Sequence, residues 1–181
     1  MTTTIPKIKI LKSFSDESQK LNMMETTSEW FSNTTYSGSK QSFIDIRNVN
    51  GKMEVYYCCD KSNPEINLNQ MISFKSSHNI NGEIGHHGDG FKRFSFKHNA
   101  LMEVYSINDN QTFDYIEQDQ AGLIRLIDSG LGNSEFERRM DTSEFTTFKK
   151  TKDIEDIPQK IKNIMNMDHP FAPKFIVVFK N

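Results

Sequence analysis

Two strand–turn–strand units narrow the fold of this chain more than any other feature. Phe43-Ile44-Asp45-Ile46-Arg47 reads as a strand, Val49-Asn50-Gly51-Lys52 as a tight turn, and Met53 to Cys59 as the returning strand. Asn-Gly between two apolar runs signals a two-residue hairpin turn, in which both positions take positive φ. Leu101 to Ile107 and Thr112 to Glu117 form a second hairpin around Asn108-Asp109-Asn110. Phe175 to Phe179 is an apolar run that reads as a closing strand.

Elsewhere the spacing turns helical. From Ser15 to Thr35, the residues Leu21, Met24, Ser28, Phe31 and Thr35 stand three or four apart, as on one face of a helix. Leu68, Met71, Ile72 and Phe74 suit a short helix after Pro64, a residue favoured in a first turn. Asp156 to Met167 predicts another helix, with Ile157, Ile161, Ile164 and Met165 on one face. Residues 1–12 alternate apolar and polar side chains, which predicts an edge strand, and Leu123-Ile124-Arg125-Leu126-Ile127 predicts one more. Residues 129–152 are polar with scattered Phe and give no assignment. With no internal repeat and no low-complexity linker in 181 residues, the expectation is one α+β domain spanning residues 1–181.

Charge and cysteine usage bound the function. A formal net charge of −2 excludes a strongly basic nucleic-acid binder and leaves only local clusters. These are Lys7, Lys9 and Lys12, and Lys149, Lys150, Lys152, Lys160 and Lys162, whose plainest reading is a solvated face. Cys58 and Cys59 are adjacent within an apolar run, poorly placed for a disulfide and too few for a zinc site. No apolar run approaches the roughly 20 residues of a membrane helix. The N-terminus also lacks the order of a secretory signal. An intracellular chain, nuclear, cytoplasmic or viral, with no membrane partner is expected.

The chemistry gathers at Gly82-Glu83-Ile84-Gly85-His86-His87-Gly88-Asp89-Gly90-Phe91-Lys92, just before the helix-compatible run Phe91 to Phe96. Gly85, Gly88 and Gly90 allow positive φ and close approach of a ligand to main-chain N–H groups. A helix starting near Gly90 turns its free N–H groups and dipole towards the same spot, which suits a phosphate, and Lys92 adds a cation. Upstream, Glu29 and Asn33 are four apart and share a helix face. A carboxylate there can polarise an attacking water, and a carboxamide oxygen can bind Mg²⁺. Asp60, at the end of the first hairpin, can accept a hydrogen bond from an exocyclic amine or simply shape a turn. Trp30 reads as a core anchor on a different face from Glu29, and His86 and His87 as loop residues.

In this order the parts resemble the ATPase domain shared by gyrase, the heat-shock chaperone, histidine kinases and MutL (GHKL), and within it the MORC branch. The likeness runs from Met71-Ile72-Ser73-Phe74 through Ile84-Gly85-His86-His87-Gly88-Asp89-Gly90-Phe91-Lys92 to Asn99-Ala100-Leu101, inside a recognisable core of about residues 16–107. The resemblance implies a two-layer α/β sandwich, with helices on one face of a mixed sheet. It implies ATP and Mg²⁺ as cofactors: Glu29 as general base, Asn33 as metal ligand, Asp60 as adenine acceptor, and Gly85, Gly88, Gly90 and Lys92 as phosphate contacts. Residues 75–90 become a lid whose closure on nucleotide promotes homodimerisation, with DNA or chromatin proteins as further partners. The chain departs from the family at Ser32, where Asp is usual, and at Asp60-Lys61-Ser62-Asn63-Pro64, where Asp-x-Gly-x-Gly is usual. A catalytic lysine from a following transducer domain is also expected to be absent. Slow hydrolysis is therefore expected, and a non-catalytic GHKL-like interaction module is the alternative reading.

Overall fold

In the computed structural model of the chain, the described residues are 7–36, 38–61, 90–141, 145–167 and 169–180. Both hairpins form. Strands β1 (Ser42–Val49) and β2 (Lys52–Cys59) turn at Asn50 (φ 54°) and Gly51 (φ 79°), the positive pair that the Asn-Gly signal requires. Strands β3 (Leu101–Ile107) and β4 (Thr112–Asp119) form the second hairpin, closed where the Asn108 N–H donates to the Thr112 carbonyl at 2.8 Å.

Residues 146–153 add an edge strand, β5 (Thr146–Asp153), and the closing run becomes β6 (Phe175–Lys180). Strand β6 is central: the order is β1-β2-β6-β3-β4-β5. Phe175 to Phe179 are all buried, as a strand covered on both faces must be. Every pairing among the described residues is antiparallel, so the mixed sheet implied by the resemblance is corrected. The last described strand runs opposite to both of its neighbours, inserted between the two hairpins.

The helices also differ from expectation at several points. Helix α1 (Lys7–Lys20) occupies residues where alternation predicts a strand. Leu11, Ser15 and Ser18 are buried at a helical spacing, and that period overrides the short alternation. Helix α2 (Met23–Tyr36) is separate from it, because Asn22 starts a new helix. Its side-chain oxygen accepts from the Glu25 N–H (2.9 Å), while Glu25 Oε2 accepts from the Asn22 N–H (2.8 Å), a reciprocal capping box. The buried face of α2 is Thr26, Trp30 and Thr34, with Met24 and Phe31 exposed. The expected apolar stripe is therefore rotated, because the Trp30 ring has more area to bury than the Met and Phe positions.

Helix α3 (Gly90–His98) follows the glycine stretch, as its apolar run predicts. Helix α4 (Gln120–Asp128) replaces the strand expected at 123–127. Leu123, Leu126 and Ile127 are buried while Arg125 is exposed, a spacing of three and four rather than two. Asp119 caps it, its Oδ1 accepting from the Gly122 N–H at 2.7 Å. A Cβ on Gly122 would lie 2.2 Å from Asp119 Oδ2 and 2.9 Å from the Phe145 ring. Gly122→Ala is therefore expected to cost about 1–3 kcal/mol, by denaturant melting, through overpacking and loss of the cap. A loss under a few tenths would contradict this.

Helix α5 (Asn133–Asp141) lies in the stretch without a sequence assignment, and its Phe136 joins Leu11, Phe96, Leu123, Leu126 and Ile127 in one cluster. Helix α6 (Gln159–Met165), shorter than expected, follows Pro158. The helix expected after Pro64 lies outside the described residues.

The core has two sides. On one, Trp30 and Phe94 pack against Val55, Tyr57, Met102, Val104, Val177 and Phe179. On the other, Ile157, Ile161 and Ile164 pack against Tyr56, Cys58, Tyr105 and Ile176. Helices thus cover both faces, α2 and α3 one and α6 the other, which corrects the expected two layers. Both cysteines are free and buried, as their apolar setting predicts, and burial raises both thiol pKa values.

The second side also holds an ion cluster. Buried Glu103 pairs with Lys160 of α6 and Lys180 of β6, and accepts the Tyr105 hydroxyl at 3.1 Å. Burial alone would raise its pKa. Hydrogen bonds from Lys160 and Lys180 outweigh that and hold it below the ordinary carboxylate range. Lys160 is therefore spent inside the fold, and Lys162 donates to the Glu155 carbonyl at 2.8 Å. The C-terminal basic cluster is smaller than its sequence suggests.

His98 ends α3 against the first core. Its Nε2 lies 2.9 Å from the Tyr57 hydroxyl and its ring stacks on Phe179, 4.0 Å between centroids. Burial, with Lys97 beside it, pushes its pKa from 6.5 down to about 4. The unfolded chain takes up a proton between those values that the native state refuses. Stability is thus full above about pH 6.5 and falls by roughly 3 kcal/mol as the pH approaches 4. His98→Leu is expected to flatten that slope in denaturant melts at pH 7 and pH 4.5. An equal acid loss in both proteins would assign it elsewhere.

Candidate functional site

The residues singled out for chemistry lie on three segments: α2, the end of β2 and the start of α3. One aromatic cluster holds all three. Trp30 of α2 lies 5.5 Å from Tyr57 of β2 and 5.9 Å from Phe94 of α3, between ring centroids, and Tyr57 meets Phe94 edge-on at 4.5 Å. Phe175 of β6 stacks on Trp30 at 6.3 Å. Glu29 adjoins Trp30, Lys92 stands two residues before Phe94, and Asp60 follows Tyr57 by three. Packing of the cluster therefore fixes the spacing of the three segments.

The direction of the helices follows from their contacts. Near the end of α1, Gln19 Nε2 donates to the Phe96 carbonyl at 2.7 Å, and Lys97 Nζ donates to the Gln19 carbonyl at 2.7 Å. Helix α2 thus begins beside the C-terminal end of α3 and reaches its middle by Trp30. One turn further along α2, towards Asn33, the chain heads for the first turn of α3, which holds Gly90 and Lys92. Glu29 and Asn33 flank the buried Thr26, Trp30 and Thr34 stripe, and Glu29 is half-buried. Gly90 is the first residue of α3, so this helix start stands where the glycine spacing expects it. Gly85 and Gly88 lie outside the described residues, as do His86, His87 and most of the 75–90 stretch.

Asp60 has local work. Its Oδ1 accepts from the Ser39 hydroxyl at 2.7 Å and from the Lys40 N–H at 3.0 Å, and its own N–H donates to the Gln41 carbonyl at 3.1 Å. Partial burial pushes its pKa upward. The Ser39 hydroxyl and the Gln41 and Lys40 backbone outweigh it and keep the carboxyl ionised below its ordinary value. These bonds tie the α2–β1 turn to the end of β2. The bonds from Ser39 and Lys40 both fall on Oδ1. Ser39 and Lys40 carry no sequence signal for this role, since their partner is about twenty positions away.

Two further points bear on a ligand. Trp30 Nε1 is buried without a hydrogen-bond partner among the described residues, beside Glu29 on α2. Among the described residues no group of three or more His, Cys, Asp or Glu side chains is placed to hold a metal ion. No helix among the described residues is long and apolar enough to cross a membrane. No protein-family model matches the chain, and no curated protein matches it.

Proposed function

We propose that the chain is an ATP-binding module of the GHKL type, MORC-like, which hydrolyses ATP slowly with Mg²⁺ and dimerises in its nucleotide-bound form. The observation that carries this reading is the shared aromatic cluster, which spaces α2, the end of β2 and the middle of α3 around one point, one turn from the start of α3. In this arrangement Glu29 orients and deprotonates the attacking water, and Asn33 supplies an oxygen to Mg²⁺. The backbone N–H groups at Gly90, with Gly85 and Gly88 before it, take the phosphates, and Lys92 balances their charge. Asp60 Oδ2 accepts the adenine amine while Oδ1 keeps its structural bonds. DNA or chromatin contacts would draw on exposed lysines of β5 such as Lys150 and Lys152.

The bonds Asp60 makes to Ser39 and Lys40 favour a second reading, in which the same fold is a non-catalytic interaction module and Asp60 only closes a turn. A thermal melt with Mg²⁺ and a non-hydrolysable ATP analogue separates the two. Ligand at about a hundred times its Kd stabilises the native state by about 2.7 kcal/mol, which raises Tm by several degrees. An unchanged Tm at millimolar analogue would favour the interaction module.

A further inference from the structure

Strand β1 is an edge of the sheet, and its far side pairs with none of the described residues. The hairpin register states which backbone groups that side presents. Val49 and Lys52 close a two-residue turn, so the odd-numbered residues of β1 bond to β2. The Asp60 N–H donating to the Gln41 carbonyl continues the alternation. The N–H and C=O groups of Ser42, Ile44, Ile46 and Asn48 therefore point outward. Ile46 and Val49, 63% and 40% exposed, stand along the same strand.

Open edges are guarded by charge, and the two edges of this sheet differ in that respect. Strand β5 carries the exposed Lys150 and Lys152, like charges that oppose pairing with another copy. Strand β1 carries one charge of each sign, Asp45 and Arg47, two residues apart on the same face and bonded to each other at 2.7 Å. That spacing is self-complementary. In an antiparallel pair of β1 strands related by a two-fold axis at Ile46, Asp45 faces the partner's Arg47 at both symmetric positions.

We propose that β1 is a self-association edge, at which two copies of this chain join their sheets antiparallel about Ile46. The outward groups fit this register. Ile46 exchanges both backbone hydrogen bonds with the partner's Ile46, and Ile44 does so with the partner's Asn48. Asp45 and the partner's Arg47 fall at a non-hydrogen-bonded pair, where opposed side chains stand closest. The competing registers lose the charge match. A two-fold axis at residue 45 or 47 opposes Asp45 to the partner's Asp45, or Arg47 to the partner's Arg47, and one at Ile44 leaves both charges facing neutral side chains. The pairing covers the exposed Ile46 and Val49, with Val49 against the partner's Phe43. This association needs no nucleotide and stands apart from the ATP reading.

Sedimentation equilibrium of the full chain without nucleotide, from micromolar to submillimolar protein, tests the edge. A monomer–dimer equilibrium is expected, and Asp45→Arg or Arg47→Asp alone should each weaken it about tenfold. Mixed in equal amounts, the two variants should recover it, since every cross-strand pair is again of opposite sign. The double variant should recover it alone. Ile46→Pro removes an N–H that points away from β2, so the hairpin should keep its melting transition while the dimer is lost. A chain that stays monomeric throughout overturns the proposal. So does a dimer that survives Ile46→Pro, or a mixture of charge variants that associates no better than either alone.

Discussion

Replacing Val177 with aspartate is expected to leave the chain without a folded state. Val177 is fully buried at the centre of β6, opposite Tyr57 of β2 and Val104 of β3. It sits where the two hairpins are joined, on the face covered by Trp30 and Phe94. A carboxylate there gains no partner and displaces the apolar contacts of both hairpins. Such a group costs several kcal/mol, comparable to the 5–15 kcal/mol that typically holds a domain together. Far-ultraviolet circular dichroism and a thermal melt read the outcome. The expected spectrum lacks native strand content and shows no cooperative transition. A cooperative melt within a few degrees of the parent would mean that β6 does not organise the sheet.

The second large effect concerns turnover. Glu29→Ala is expected to reduce phosphate release from Mg²⁺–ATP about a hundredfold or more, the scale of a lost general base. The substitution should leave the fold intact, because Glu29 is only half-buried on α2 and alanine favours a helix. Binding of the nucleotide should persist, so that the loss appears in kcat rather than KM. Release that continues at the parent rate would remove Glu29 from the chemistry. A loss of both binding and Tm would make it a structural residue.

The elements legible in the sequence are those specified by neighbours in the chain. Asn50-Gly51 announces its hairpin because two consecutive positive φ values select those residues. The aromatic anchor Trp30 and the helix start at Gly90 are legible for similar local reasons. Residues 123–127 mislead because a five-residue apolar run fits either period, and the deciding contact is the Asp119 cap outside it. The face of α2 misleads because three moderate apolar residues outweigh one tryptophan in a periodic pattern but not in buried area. Antiparallel insertion of β6 between two hairpins is a non-local pairing, and so is the second helical layer at α6. No spacing within either segment encodes them.

The candidate site divides the same way. Glu29 and Asn33 share a helix at the spacing expected, and Gly90 and Lys92 open the next helix along the cluster. The bonds of Asp60 were not legible, since they depend on where Ser39 and Lys40 arrive after α2. Nor was the setting of His98, isolated in sequence but packed between Tyr57, Phe94 and Phe179. Both examples are polar groups whose partners lie on other elements.

The proposed nucleotide site draws on α2, the end of β2 and the start of α3. Titration calorimetry of the full chain with a non-hydrolysable ATP analogue tests it most directly, run with and without Mg²⁺ and repeated with Lys92→Ala. Saturable one-to-one binding is expected, strengthening with Mg²⁺ and weakening about tenfold or more when Lys92 loses its charge. Absence of binding heat at millimolar analogue, in a protein that melts cooperatively, would contradict it.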